Sequence, residues 1–220
     1  MRTVAVSALI VALLGGPAIA LAAGNPELGQ AKAAVCMACH GPDGNSVAMP
    51  APADPWPKLA GQVPEYIAKQ LHDFKAGRRS NEQMSPMAQS VAEIDIADIA
   101  AYFAKQQVRP AEAAQKELLA QGEQLFLKGK GRPQPVTACV GCHGMSGAGN
   151  RDWAKTMSKL PPILAPAIGG QHANYVVKQL HAYRDGSRSN DPAKVMRNIT
   201  AHLDDGDMAA VAEYVSTLVH

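Results

Sequence analysis

Two copies of the pattern Cys-x-x-Cys-His contain every cysteine of this 220-residue chain. The pattern is typical of covalent attachment of c-type haem, in which two thiols bond the porphyrin vinyl groups and the histidine binds the iron. Two intervening residues place both sulfur atoms on one side of a helical turn, so that the adjacent imidazole points at the metal. We therefore expect two covalently bound haem c groups, one held by Cys36, Cys39 and His40 and the other by Cys139, Cys142 and His143.

Two other uses of paired cysteines agree less well with the sequence. The cysteine pairs of a four-sulfur zinc site usually lie about 15–20 residues apart, whereas Cys36 and Cys139 are separated by 103 residues. A thioredoxin-like dithiol expects a βαβ setting and does not require a histidine after the second cysteine. The complete motif, present twice, favours haem.

The first 22 residues have the pattern of a cleaved secretory signal peptide. A basic start at Arg2 precedes an apolar run over residues 4–14, which is too short to span a bilayer. Residues 20–22 form an A-x-A cleavage site, so we expect the mature chain to begin at Ala23. An uncleaved anchor helix is disfavoured because Gly and Pro at 15–17 interrupt the apolar run. Export to the periplasm agrees with haem attachment, which bacteria complete outside the cytoplasm.

The mature sequence is an internal duplication. Its copies match at an offset of 109 residues up to Asn81 and at 112 residues from Met84, so three extra residues fall within 191–195. Because Arg109-Pro110 breaks the preceding helix, we predict a first domain at 23–110 and a second domain at 111–220. The matched pairs include Gly61-Gln62 with Gly170-Gln171, Tyr66 with Tyr175, Gln70-Leu71 with Gln179-Leu180, Arg79-Ser80-Asn81 with Arg188-Ser189-Asn190, Met84 with Met196, and Tyr102 with Tyr214.

Each copy is expected to be all-α, because no segment sustains the period-two alternation of a strand. A first helix should begin at Asn25-Pro26 and lead to Cys36, with its counterpart near 116–128. A middle helix is predicted at 64–76, and last helices at 93–105 and 205–218. Asp204 is a suitable N-cap for the final helix, whereas Ala92 should weaken the equivalent start by about 1 kcal/mol.

Composition limits the remaining possibilities. The chain has only 3 Phe, 2 Trp and 5 Tyr, so each small domain should gain much of its apolar core from the haem. The formal net charge is +2, with no basic stripe of the kind that binds nucleic acid. Nucleic acid is therefore not an expected partner.

Each iron also needs a sixth ligand, and methionine sulfur raises the reduction potential relative to a second histidine. The candidates are Met84 and Met87 in the first copy and Met196 in the second. The repeat favours Met84, because Met87 matches Ile199, which cannot bind iron. His72 and His181 are rival ligands that also match across the repeat, but each adjoins a buried leucine of its helix and is expected to project toward solvent.

The duplicated motifs resemble those of the di-haem cytochrome c4 family over essentially all of the mature chain. The resemblance implies two tandem cytochrome c domains related by a pseudo-twofold axis, with the haem propionate edges facing across the interface. It also implies that the carbonyls of Pro57 and Pro166 accept hydrogen bonds from His40 and His143. The segments that carry it are 36–41, 57–62, 69–71, 84–88 and 98–103, together with the second-copy counterparts, including 169–172 and 190–191.

The same resemblance implies a non-enzymatic, periplasmic electron carrier that donates to a terminal cytochrome c oxidase and is at most loosely associated with the membrane. An upstream redox protein would be its donor. One alternative is a di-haem electron-transfer subunit of a flavin-containing dehydrogenase of the sulfide dehydrogenase type. A second alternative, from another functional class, is a di-haem peroxidase. The second copy departs from the pattern in reading Pro166-Ala167-Ile168 where the first reads Pro57-Lys58-Leu59.

If both motifs are used, the denatured mature protein should retain its haem because thioether bonds survive unfolding. Its mass should equal that of residues 23–220 plus two haem groups, as measured by intact-protein mass spectrometry. Release of haem into acidified acetone, or a mass that fits one haem, would contradict two covalent sites.

Overall fold

The computed structural model describes residues 24–47, 56–150 and 164–220. Over these ranges the regular secondary structure is helical, and the isolated bridges join Lys130 to Val136 and Asn150 to Ala165. The all-α prediction is therefore confirmed. The expected signal peptide at residues 1–22 lies outside the described residues. No helix within the described ranges has the length and apolar character needed to cross a membrane.

The helices occur in the same order in both copies. In the first copy they are α1 (Pro26–Lys32), α2 (Ala34–His40), α3 (Pro64–Lys75), α4 (Met84–Ser90) and α5 (Ile96–Ala104), the last preceded by a 3₁₀ turn at Glu93–Asp95. In the second copy a 3₁₀ turn at Lys116–Leu118 leads into α6 (Leu119–Lys128), followed by α7 (Val140–His143), α8 (Ala173–Asp185), α9 (Val195–Thr200) and α10 (Asp205–Ser216).

The capping residues read from the sequence behave as expected. The side chain of Asn25 accepts hydrogen bonds from the N–H groups of Glu27 and Leu28, at 2.9 and 3.1 Å. Asp204 accepts from the N–H of Asp207 at 2.8 Å, and the Asp207 side chain in turn accepts from the N–H of Asp204, which completes a capping box. Ala92 provides no side-chain cap for the matching turn in the first domain.

Two features of the helices differ from the sequence-based expectation. The first helix does not run unbroken to Cys36, because the chain turns at Ala33 between α1 and α2. The short helices α4 and α9 have no counterpart among the predicted elements, since six or seven residues give too little periodicity to be recognised. Both begin within one residue of the duplicated methionines Met84 and Met196.

In each domain the first helix crosses the last helix at a glycine. A Cβ atom on Gly29 of α1 would lie 2.0 Å from the carbonyl oxygen of Asp98 in α5. A Cβ atom on Gly122 of α6 would lie 2.1 Å from the carbonyl oxygen of Ala210 in α10. Both distances are far below van der Waals contact, so the crossings require the absence of a side chain at these positions.

Each domain has its own apolar core around the last helix. In the core of the first domain, Phe103 on α5 is fully buried. In the core of the second domain, Phe126 on α6 and Met208 on α10 are fully buried. Partly buried side chains pack against these cores, including Cys36 and Met84 in the first domain and Cys139, Ile168 and Met196 in the second. Two candidate site residues of each domain, one cysteine and one methionine, therefore border the apolar cores.

Gly122→Ala should destabilise the second domain. Alanine gains about 1 kcal/mol over glycine in helix propensity, but the new methyl group would overlap backbone and force α6 away from α10, which typically costs about 1–3 kcal/mol. We expect the unfolding free energy of the holoprotein, measured by denaturant titration, to fall on balance. Gly131→Ala is the matched control because a Cβ there would meet no atom within 4 Å. Equal stability of the two variants would contradict the close helix crossing.

Candidate haem sites

The fold holds His40 in one orientation. Gly41 adopts a positive φ of 80° and ends α2 directly after His40. The imidazole is 5% exposed, and its Nδ1 atom lies 2.7 Å from the carbonyl oxygen of Pro57. Because a carbonyl only accepts, Nδ1 must carry the proton, which leaves the lone pair of Nε2 available to a metal.

His143 has the same arrangement in the second domain. Gly144, with φ 79°, ends α7 directly after His143. The Nδ1 atom of this imidazole lies 2.9 Å from the carbonyl oxygen of Pro166, and the ring is 8% exposed. Each Cys-x-x-Cys-His segment therefore presents one Nε2 lone pair whose direction is set by a prolyl carbonyl.

The electrostatics of both imidazoles suit an iron ligand. Burial lowers the pKa of His40 and of His143, while the hydrogen bonds to the prolyl carbonyls oppose that shift. Each ring is therefore neutral at neutral pH, which is the form that binds a metal. These residues fit the expected haem, for which they would supply one axial nitrogen in each domain.

The cysteines do not have the character of a redox-active dithiol. Burial raises the pKa of the Cys36 and Cys142 thiols, and it raises the pKa of Cys139 to about 11. Reactive dithiols require a lowered pKa instead. Nor does the described part of the chain bring three Cys, His, Asp or Glu side chains together around a possible metal ion. The geometry thus disfavours both the dithiol and the zinc interpretations and agrees with thioether attachment.

The candidate sulfur ligands lie at the starts of two equivalent helices. Met84 is the first residue of α4, and its N–H donates to the side-chain oxygen of Asn81 at 2.9 Å. Its side chain is partly buried against the first core, as that of Met196 is against the second. Met87, one turn further along α4, is 37% exposed.

The three extra residues of the second copy are accommodated in the loop before Met196. Ala193 and Lys194 both adopt positive φ angles of 52° and 57° there. Asp191 anchors the loop by accepting from the backbone N–H and the Nε of Arg197, at 3.1 and 2.7 Å. The insertion therefore lengthens the loop while leaving Met196 packed against its core.

The rival ligands His72 and His181 lie on the outer faces of α3 and α8. The Nδ1 atom of His72 is 3.1 Å from the carboxylate of Glu93, and this side chain is 39% exposed. The Nδ1 atom of His181 accepts a hydrogen bond from the Arg184 guanidinium at 2.8 Å. Their hydrogen-bonding partners and exposure are those of surface histidines, as expected from their positions beside Leu71 and Leu180.

The two domains meet through a polar network in which equivalent residues of the two copies make equivalent contacts. Arg79 donates to the hydroxyl of Tyr175 at 3.1 Å, and Arg188 donates to the hydroxyl of Tyr66 at 2.7 Å. The two guanidinium groups also share the side-chain oxygens of Gln70 and Gln179. Each guanidinium stacks on an aromatic ring of its own domain, Arg79 on Phe74 and Arg188 on Tyr183.

Other contacts break this symmetry. The Lys58 ammonium donates to the carbonyl oxygens of Gly170, at 2.7 Å, and Arg109, whereas the matching position in the second domain is Ala167. The Nε2 atom of His172, which replaces Val63 of the first copy, lies 3.0 Å from the carbonyl oxygen of Ser46. Burial lowers the pKa of His172, and the nearby Lys58 charge lowers it further. The surroundings of the two sites are therefore unequal.

Sequence reasoning did not assign a role to the interface residues. Their matched positions were evident from the repeat, but a repeat also preserves core residues and turns, so it does not show which side chains face the other domain. The Lys58 contacts had no sequence signal, because both of its acceptors are backbone carbonyls far away in the chain.

Comparison with known proteins agrees with this geometry. The family model described as Cytochrome c matches twice, over residues 27–107 and 119–219. Cytochrome c4 of Pseudomonas aeruginosa is 44% identical over 219 residues, covering 99% of this chain and 100% of that protein. A thiosulfate dehydrogenase electron acceptor of Thiomonas intermedia is 35% identical, covering 98% of this chain and 91% of that protein.

A solved structure gives the same result for the fold. The crystal structure of reduced recombinant cytochrome c4 from Pseudomonas stutzeri matches with a TM-score of 0.76 and 42% sequence identity, covering 89% of this chain and 100% of that one. The two tandem cytochrome c domains implied by the resemblance are thus confirmed. With two covalently bound haem c groups and an electron-transfer rather than enzymatic role, the chain belongs to the cytochrome c4 family.

Proposed function

We propose that this di-haem electron carrier works in the periplasm and passes electrons from an upstream redox protein to a terminal cytochrome c oxidase. The observation that carries the proposal is the duplicated ligand frame, His40 on Pro57 and His143 on Pro166, in two domains docked through buried hydrogen bonds. Haem iron supplies reversible one-electron transfer when bound. The chain's own residues fix the ligands, exclude water and hold the two sites in one unit.

We further propose that each iron has one histidine and one methionine ligand. His40 and Met84 would bind the first iron, and His143 and Met196 the second, with Pro57 and Pro166 orienting the imidazoles. Thioether bonds would form at Cys36 and Cys39 and at Cys139 and Cys142. Support comes from the position of both methionines at the starts of equivalent helices against the cores, and from the surface contacts of His72 and His181.

The processing and domain limits are also part of the proposal. Residues 1–22 would be removed on export, leaving a first domain at 23–110 and a second domain at 111–220. The composition of the leader supports the cleavage site. The two regions matched by the family model, 27–107 and 119–219, support the division between the domains.

The Thiomonas intermedia relative favours a second candidate function. Its name describes an electron acceptor of thiosulfate dehydrogenase. This chain could accordingly be the dedicated acceptor of a dehydrogenase that oxidises an inorganic sulfur compound, which is close to the flavin-containing sulfide dehydrogenase alternative. The two functions differ in the main redox partner, which is a terminal oxidase in the first and a dehydrogenase in the second.

The axial sulfur ligand can be tested by paired substitutions. Met84→Ala should abolish the sulfur-to-iron absorption band of one of the two haems, which halves the intensity of that band, and should lower the reduction potential of that haem. Met87→Ala should leave the band intact because Met87 is 37% exposed and matches Ile199. Loss of the band in the Met87 variant, with retention in the Met84 variant, would show that Met87 is the ligand and that the alignment of Met84 with Met196 does not identify it.

The direction of electron flow can be tested with the reduced holoprotein. Membranes that contain a terminal cytochrome c oxidase should oxidise it rapidly in air, and cyanide should stop the reaction. Absence of cyanide-sensitive oxidation, with fast reduction by a sulfur-compound dehydrogenase, would replace the oxidase proposal with the acceptor function. Sustained turnover of hydrogen peroxide would instead identify the peroxidase alternative.

A further inference from the structure

Two glutamines cross the domain interface and bind the backbone of the opposite domain. The side chain of Gln171 accepts from the N–H of Lys58 and donates to the carbonyl oxygen of the same residue, both at 2.9 Å. Gln62 binds Ala167 in the same way, at 2.8 and 2.9 Å. Gln62 and Gln171 are 9% and 8% exposed. Because one offset of 109 residues relates both glutamines and both targets, the contacts form a reciprocal pair.

The targets of these contacts are informative. The N–H of Lys58 belongs to the peptide unit whose carbonyl oxygen comes from Pro57, and that oxygen accepts from His40 at 2.7 Å. A peptide unit is planar, so fixing its N–H fixes the direction of its carbonyl. The side-chain oxygen of Gln171 in the second domain therefore controls the orientation of the acceptor for His40 in the first.

The same relation holds in the opposite direction. The N–H of Ala167 and the carbonyl of Pro166 form one peptide unit, which binds Gln62 at 2.8 Å and His143 at 2.9 Å. The side-chain oxygens also accept from the N–H groups of Val63 and His172, at 3.0 and 3.1 Å, which limits the rotation of each amide.

We propose that Gln62 and Gln171 are positioning residues that act in trans, each holding the peptide unit that orients the proximal histidine of the other domain. The proposal rests on iron ligation by His40 and His143. A firm bond from Nδ1 to a carbonyl raises the basicity of the imidazole. The more basic ligand favours ferric iron, so losing either glutamine should raise the reduction potential of the haem in the opposite domain.

If Gln62 and Gln171 served only to dock the domains, the expected results would be different. If the amides only held the domains together, either substitution would affect both sites equally or affect neither. Removal of another interdomain hydrogen bond would then have the same consequence. The Tyr175 hydroxyl provides this control, because it accepts from Arg79 across the interface and is not in either Pro57-Lys58 or Pro166-Ala167.

The test uses the reduced di-haem protein, in which both low-spin irons are diamagnetic. NMR measures the solvent exchange rate of the Nδ1 proton of each proximal histidine, assigned through contacts within its own domain. Gln171→Leu should speed exchange at His40 about tenfold and leave His143 unchanged, because two buried hydrogen bonds to the first site are lost. Gln62→Leu should give the mirror result, and Tyr175→Phe should change neither.

Potentials measured on the same variants provide the second readout. The potential of the first-domain haem should rise in Gln171→Leu, and that of the second-domain haem in Gln62→Leu. If a leucine variant does not fold, Gln171→Asn keeps the amide on a side chain one methylene shorter and should give the same direction of change. Equal changes at both sites, or a change confined to the glutamine's own domain, would overturn the proposal. Absence of haem-shifted signals from His40 or His143 in the unmodified protein would instead refute the ligation.

Discussion

In each domain, the hydrogen bond from a buried histidine to a prolyl carbonyl fixes the direction of the proposed iron ligand. Its net contribution to folding is only about 1 kcal/mol, but leaving the buried N–H without an acceptor would cost about 1–3 kcal/mol. The loop that carries the carbonyl is fastened to the turn after the haem motif. The carbonyl oxygen of Gly44 accepts from Leu59 and Ala60, and that of Gly147 accepts from Ile168 and Gly169. A change in the conformation of this loop would therefore also change the orientation of the histidine ligand.

The same two loops bind each other across the domain interface, so docking and ligand orientation share their hydrogen bonds. The interface is symmetric in its glutamine, arginine and tyrosine contacts but not in its charges. The Lys58 ammonium is buried against backbone carbonyls, and the matching position in the second domain is Ala167. The side chain of Asn190 donates to the carboxylate of Asp73, and the position in the second domain that matches Asp73 is Ala182. We therefore expect the two haems to have unequal reduction potentials, which would give an electron a preferred location within the molecule.

The sequence was most informative where the chemistry is local. The Cys-x-x-Cys-His motifs, the caps at Asn25 and Asp204 and the two-domain repeat could all be read from neighbouring residues or from a constant offset. The trans contacts of Gln62 and Gln171 could not, because their partners lie 105 and 113 residues away and are backbone atoms of no particular residue type. The helix break at Ala33 and the short helices α4 and α9 depend on tertiary packing rather than on periodicity.

A spectroelectrochemical titration of the purified mature protein shows whether two unequal haems act together in one electron carrier. We expect reversible uptake of two electrons per chain, in two resolved one-electron steps or one visibly broadened step. Both haems should remain low-spin throughout, because each iron keeps two protein ligands. Uptake of one electron per chain would show that the chain does not carry two redox-active haems, and a single one-electron Nernst curve that fits both haems would show that their potentials are equal.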